Sequence, residues 1–180
     1  MKLDRQAIEA ALAALSEKLR AEGVTGELCI FGGGAMVLAF DARPATRDVD
    51  AVFRPAETVR RAAAAVAAEL ALPGNWLNDG VKGFVSANQD HVDEGMPKDF
   101  PNLRILRPSA AYLLAMKCMA ARVTGYDTDG DRADVEFLTR HLGLTSTAQV
   151  LDIVARYYPA ERITAKTQFF VEEILGGMQR

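Results

Sequence analysis

The chain has 180 residues, 49% of them hydrophobic and 25% charged, which is the profile of a globular protein and excludes a disordered or low-complexity one. A net charge of −3 excludes a global electrostatic drive toward nucleic acid, although a local basic patch stays open. No apolar run approaches the roughly 20 residues of a membrane span and the N-terminus has no signal-type apolar block, so a cytoplasmic protein with no membrane partner is expected.

The first predicted element is an amphipathic helix over 4–22. Leu3, Ile8, Leu12, Leu15 and Leu19 recur at helical spacing, Asp4 can cap it and Gly23 can stop it. Glu27–Phe31 reads as a short buried strand running into Gly32, Gly33 and Gly34, with a short helix over 35–40 beyond. After a loop through Arg43 and Pro44, Asp48 to Phe53 alternates acid and apolar residues, the period of a strand. Pro55 opens an alanine-rich helix to about Leu72. Residues 73–102 are rich in turn formers and predict loops, with a strand near Gly83–Ser86. Leu103–Leu106 is a further strand, and Pro108-Ser109 starts a helix that ends near Thr124-Gly125. Three more helices are expected over 131–142, 146–157 and 164–176.

This order predicts an α/β (α+β) fold: a small mixed sheet with packed helices over 1–107, then a helical part over 108–180, with a soft boundary. Cys29 and Cys118 each sit in an apolar run without CxxC spacing and read as buried free thiols. With His91 and His141 as the only histidines, neither zinc nor a Ser-His-Asp or Cys-His arrangement is supported.

Two features carry chemistry together. Glycines between a strand and a helix let backbone N–H groups approach an anion without Cβ obstruction. By itself that turn is equally a tight turn, and a dinucleotide G-x-G-x-x-G read from Gly32 puts Val37 at the third glycine. Asp48 and Asp50, two apart on a strand, project side by side and repel unless a divalent cation relieves them. Mg²⁺, which takes a few carboxylates plus triphosphate oxygens, suits such a pair. Flanking Val49, Ala51, Val52 and Phe53 predict a central strand rather than a solvated edge. Asp127 to Asp131 resembles the start of a calcium loop, but Arg132 and Leu138 stand where that loop needs glycine and glutamate.

The stretch Phe31 to Phe40, then Arg43, then Thr46-Arg47-Asp48-Val49-Asp50, resembles the signature of the nucleotidyltransferase superfamily, and is most similar to small bacterial proteins of the AbiEii toxin type. Tyr112 to Arg122 is similar to that family's lysine-bearing helix, and Asp131-Arg132-Ala133-Asp134-Val135 to its D-x-x-D element. The resemblance implies that Asp48 and Asp50 bind Mg²⁺ or Mn²⁺, that Gly32–Gly34, Thr46 and Arg47 hold a nucleoside triphosphate, and that Lys117 reaches a phosphate. Arg43, Asp131 and Asp134 would support the site. It further implies transfer of a nucleoside monophosphate to an acceptor hydroxyl on RNA or protein, and a cognate antitoxin as partner. Catalytic members carry a third carboxylate on a later strand. Leu103–Leu106 has Arg104 there instead, and Asp79 is the substitute to be located. The alternative is a nucleotide-binding or regulatory module of the same fold without turnover.

Overall fold

A computed structural model describes residues 1–121 and 128–178, and the chain divides into two compact units, 1–83 with 91–107 and 84–90 with 108–180. The fold is mixed α/β: seven helices, a five-stranded mixed sheet and a two-stranded sheet among the described residues.

The first unit holds both sheets. β1 (Leu3–Asp4) pairs antiparallel with β3 (Ala45–Thr46). The larger sheet has β2 (Gly26–Ile30) at its centre, antiparallel to β4 (Val49–Arg54) and parallel to β7 (Leu103–Pro108). β5 (Leu77–Asn78) extends it parallel to β4, and β6 (His91–Val92) flanks β7. β4 therefore has a neighbour on both sides, as its apolar residues predict. Val49, Ala51 and Phe53 are buried on one face, and Asp50 and Val52 alternate on the other.

Helix α1 (Arg5–Ala21) buries Ile8, Ala11, Leu12, Leu15 and Leu19 along one stripe. Asp4 caps it by accepting from the Ala7 N–H at 2.8 Å, and Gly23 ends it in the left-handed conformation (φ +67°). α1 packs on α3 (Ala56–Glu69), whose buried residues are Val59, Val66 and three alanines. Small side chains there let Trp76 bury completely and donate its indole N–H to the Ala63 carbonyl at 3.0 Å. Asn102 ties β7 to its neighbours: its N–H donates to Ser16 Oγ, its amide to the Val24 carbonyl, and its own carbonyl accepts from Gly26.

The second unit is helical. α4 (Ala110–Ala120) is buried continuously from Tyr112 to Cys118, as expected of a helix surrounded by others. It packs against α5 (Thr128–His141), α6 (Thr147–Tyr157) and α7 (Ala165–Met178). Ser109 caps α4, and Ser146 with Gln149 forms a reciprocal capping box on α6. The segment 84–90 is pinned to this unit. Tyr112 Oη accepts from the Ser86 N–H, Tyr158 Oη donates to the Phe84 carbonyl, and Asn88 Nδ2 donates to the Arg156 carbonyl.

Several expectations are corrected. The glycines themselves form the first turn of α2 (Gly32–Leu38), so this helix starts three residues earlier than 35–40. A 3₁₀ turn over Gly80–Phe84 stands at the start of the expected strand at Gly83–Ser86, because Asn78 and Asp79 begin a turn that the following glycines continue. α3 stops at Glu69 instead of Leu72, ahead of Ala71 at φ +52°. α5 starts at Thr128, three residues ahead of the expected 131, so Asp131 lies inside the helix and not at its first position. The expected end of α4 at Thr124-Gly125 and the acidic residue Asp127 lie outside the described residues.

Candidate functional site

The junction of β2, α2 and β4 is built by backbone. The Phe31 N–H donates to the Asp50 carbonyl at 2.8 Å, which carries the β2–β4 pairing one residue past the strand and sets the start of α2 against Asp50. Gly32 turns the chain there at φ +55°, a conformation that an L side chain resists. A Cβ on Gly32 would stand 3.3 Å from Asp50 Oδ2, so the carboxylate lies over this glycine.

Gly33 is required by close approach. A Cβ there would collide with Thr46 Oγ1, lie 3.1 Å from Thr46 Cβ and reach 3.5 Å from an Arg43 guanidinium nitrogen. Gly34 backs onto Ile30 and Val49 in the same way. Three glycines thus bring the first turn of α2 down onto β3 and β4. N–H groups in the first turn of a helix have no intrahelical acceptor and are available to an outside one. Gly32 and Gly33 are half-buried, as are Arg43, Asp48 and Asp50, while Thr46 is buried and Arg47 exposed.

Asp48 precedes β4 and is met from β5. Asn78 Nδ2 donates to Asp48 Oδ2 at 3.3 Å, and Asn78 is the register partner of Asp50. Residues paired in register project to one face of the sheet, so Asp50 and Asn78 are neighbours there, with Asp48 within reach. The structure thus brings together Gly32, Gly33, Arg43, Thr46 and Asp50, and joins Asp48 through Asn78.

Asp79 has other partners. Its carboxylate accepts from Lys82 Nζ at 2.5 Å and from Arg60 at 3.0 Å, and these contacts, Lys82 first, hold it below the usual carboxylate range. Arg104 pairs with Glu27 across the β2–β7 register at 3.0 Å. Among the described residues no group of three or more His, Cys, Asp or Glu side chains stands close enough to hold a metal ion together. Two carboxylates with open backbone beside them still fit Mg²⁺, which binds through one or two carboxylates and completes its shell with phosphate oxygens and water.

Lys117, Asp131 and Asp134 belong to the helical unit and meet there. Lys117 Nζ lies 2.7 Å from Asp134 and 3.2 Å from Asp131, joining α4 to α5. Asp134 is 1% exposed and the Lys117 side chain 10%, so this is an interior ion cluster. Asp131 and Asp134, three apart on one helix, flank the ammonium as a pair. Both cysteines are free and buried, and burial pushes each thiol up to about 12.

No protein-family model, curated protein or solved structure matches the chain. Among the described residues no helix is long and apolar enough to cross a membrane.

The residue that sequence reasoning passes over is Asn78. It sits next to Asp79, which drew attention as an acid, and its strand is two residues long, too short to show a period. Its one local signal is the Asn-Asp-Gly sequence, a turn former.

Proposed function

We propose that this protein is a cytoplasmic metal-dependent nucleotidyltransferase that transfers a nucleoside monophosphate from a nucleoside triphosphate to an acceptor hydroxyl on RNA or protein. The observation that carries the reading is the Asp50 carboxylate lying 3.3 Å from where a Gly32 Cβ would stand, beside Gly33 packed under Thr46 and Arg43. Residues separated in sequence by a loop meet as acid and open backbone, the two things a metal-bound triphosphate needs.

Asp48 and Asp50 would hold Mg²⁺ or Mn²⁺, which when bound supplies charge neutralisation and Lewis-acid polarisation of the phosphates. The first-turn N–H groups of α2 would donate to phosphate oxygens. Arg43 and Arg47 would add positive charge, and Thr46 would keep Arg43 and Gly33 in register. In the reaction the acceptor oxygen forms a bond to the α-phosphorus, the α–β P–O bond breaks, and pyrophosphate leaves with the bonding pair. The hydroxyl proton passes to solvent. Catalysis on this scheme is positional and electrostatic. A toxin-like role with a cognate antitoxin is the biological setting that the family resemblance suggests.

A second reading is favoured by one specific observation. The position beside Asp50 on β5 is an amide, Asn78, and Asp79 is engaged by Arg60 and Lys82. On that reading the chain binds metal–triphosphate as a regulatory module without turnover. Incubation with α-labelled and with γ-labelled triphosphates, Mg²⁺ and total RNA or cell protein separates the two. Label carried to macromolecule from the α position alone supports transfer. Binding of triphosphate with no label transferred supports the module, and absence of binding refutes both.

A further inference from the structure

Within the helical unit, a cavity of about 190 Å³ lies where the end of α4 meets the start of α7. That is below the roughly 300 Å³ at which sites for drug-sized ligands begin, so it suits a small occupant. Met119 of α4 and Phe170 of α7 give it an apolar part. Arg162, Thr164, Lys166 and Thr167 give it a polar part, and no acid lines it among the described residues.

The polar part has donors that nothing in the unit uses. Arg162 lies over the Tyr158 ring at 5.4 Å, a contact that occupies none of its N–H groups. Neither Arg162 nor Lys166 has a carboxylate partner among the described residues. The Gln168 N–H donates to the Thr164 carbonyl at 3.2 Å, which places Thr164 at the start of the 14-residue α7. The N–H groups of that first turn have no acceptor within the helix. Both cations are exposed, and exposed cations at a helix start do not by themselves make a site. Thr167 supplies the independent sign. It is 6% exposed, it lines the cavity, and its hydroxyl has no hydrogen-bond partner among the described residues. A hydroxyl buried in that way costs stability unless a ligand takes it up.

We propose that this cavity binds a small phosphomonoester, with the phosphate on Arg162, Lys166 and the Thr167 hydroxyl and the organic group on Met119 and Phe170. Two cations without acids balance a phosphomonoester dianion, whereas a carboxylate would leave one of them uncompensated. The apolar part distinguishes an ester carrying a ring or short chain from inorganic phosphate. This site stands independently of the triphosphate reading of the first unit.

The test is isothermal titration calorimetry of the full chain with phenyl phosphate, inorganic phosphate and benzoate, on wild type, R162A/K166A and T167V, with melting temperatures in the absence of ligand. Wild type should bind one phenyl phosphate, more tightly than either of the other two. R162A/K166A should bind it about 10-fold more weakly or worse, and T167V about 10-fold more weakly. Thr167→Val keeps the shape and helix propensity of the side chain and removes the unpartnered hydroxyl, so T167V should melt no lower than wild type. Weaker binding without lost stability is the result a purely structural role for Thr167 does not give. No binding of phenyl phosphate to wild type at millimolar concentration refutes the inference. So does binding that R162A/K166A leaves unchanged, since the ligand then sits elsewhere. Inorganic phosphate bound as tightly as phenyl phosphate overturns the apolar part of the site, and benzoate bound as tightly overturns the assignment to phosphate.

Discussion

Lys117→Met tests the interior ion cluster of the helical unit. The substitution keeps the length of the side chain and removes the ammonium, leaving Asp134 almost completely buried with its cation gone and Asp131 beside it. Breaking a buried pair by removing one partner costs about 3 kcal/mol or more, because the remaining charge loses that counter-ion in an interior where water does not replace it. For a chain of this size about 2–4 °C of melting temperature goes with each kcal/mol, so the expected loss is about 6–12 °C. The exposed pair Arg20–Glu17, with both side chains more than half accessible, is the control, and Arg20→Ala should cost less than about 1 kcal/mol. Removing both members of the buried pair is the second arm. In K117M/D134L an apolar pair of similar volume replaces the ions, and the variant should recover much of the loss seen in K117M. Thermal unfolding followed by circular dichroism reads all of these. A K117M loss no larger than that of R20A, or a double variant less stable than K117M, would refute the argument that Lys117 and Asp134 form an interior ion pair.

Other predictions follow from packing and burial. Gly33→Ala should lower stability by about 1–3 kcal/mol, since its Cβ would collide with Thr46. Gly176→Ala, in α7 with nothing within 4 Å, should raise it by about 0.5–1 kcal/mol; the same sign for both in chemical denaturation would contradict the close approach at Gly33. Cys29 and Cys118, each pushed up to about 12 by burial, should not react with a chromogenic disulfide at pH 8 in the native protein, and both should react once it is unfolded. Rapid native labelling at either position would show that its cover opens.

Much of the fold was legible because long elements repeat a signal many times. α1 shows its buried stripe over five turns, with a cap at one end and a glycine at the other. α6 announces itself through Ser146 and Gln149, and β4 through the alternation of Val49, Asp50, Ala51, Val52 and Phe53. Strands of two residues, such as β5 and β6, repeat nothing, and their place is set by the neighbours they pair with. The glycines read locally as a turn, but the Asp50 carbonyl bonding the Phe31 N–H lets α2 begin directly behind β2. Residues 84–90 join the helical unit through Tyr112, Tyr158 and Arg156, contacts 26 or more residues away that no local pattern encodes.

The candidate site divides in the same way. Gly32, Gly33, Arg43, Thr46, Asp48 and Asp50 lie within one 19-residue stretch, and their types and order single them out from sequence. Asn78 reaches Asp48 from 30 residues away by way of sheet register, and only the pairing of β4 with β5 discloses it. Lys117 and the two acids of α5 were legible as residues, while their mutual pairing is a property of helix packing.

Asp48 and Asp50, with the glycines behind them, are proposed to form a metal-dependent triphosphate site. Thermal unfolding with each of the four ribonucleoside triphosphates, with and without Mg²⁺, on wild type and on D48A/D50A tests it most directly. Ligand at 100 times its Kd adds about 2.7 kcal/mol, which for a chain of this size is about 5–10 °C. Wild type should show a shift of that order that requires Mg²⁺ and is absent in the variant. No shift for wild type at millimolar triphosphate, or an equal shift in the variant, would contradict it.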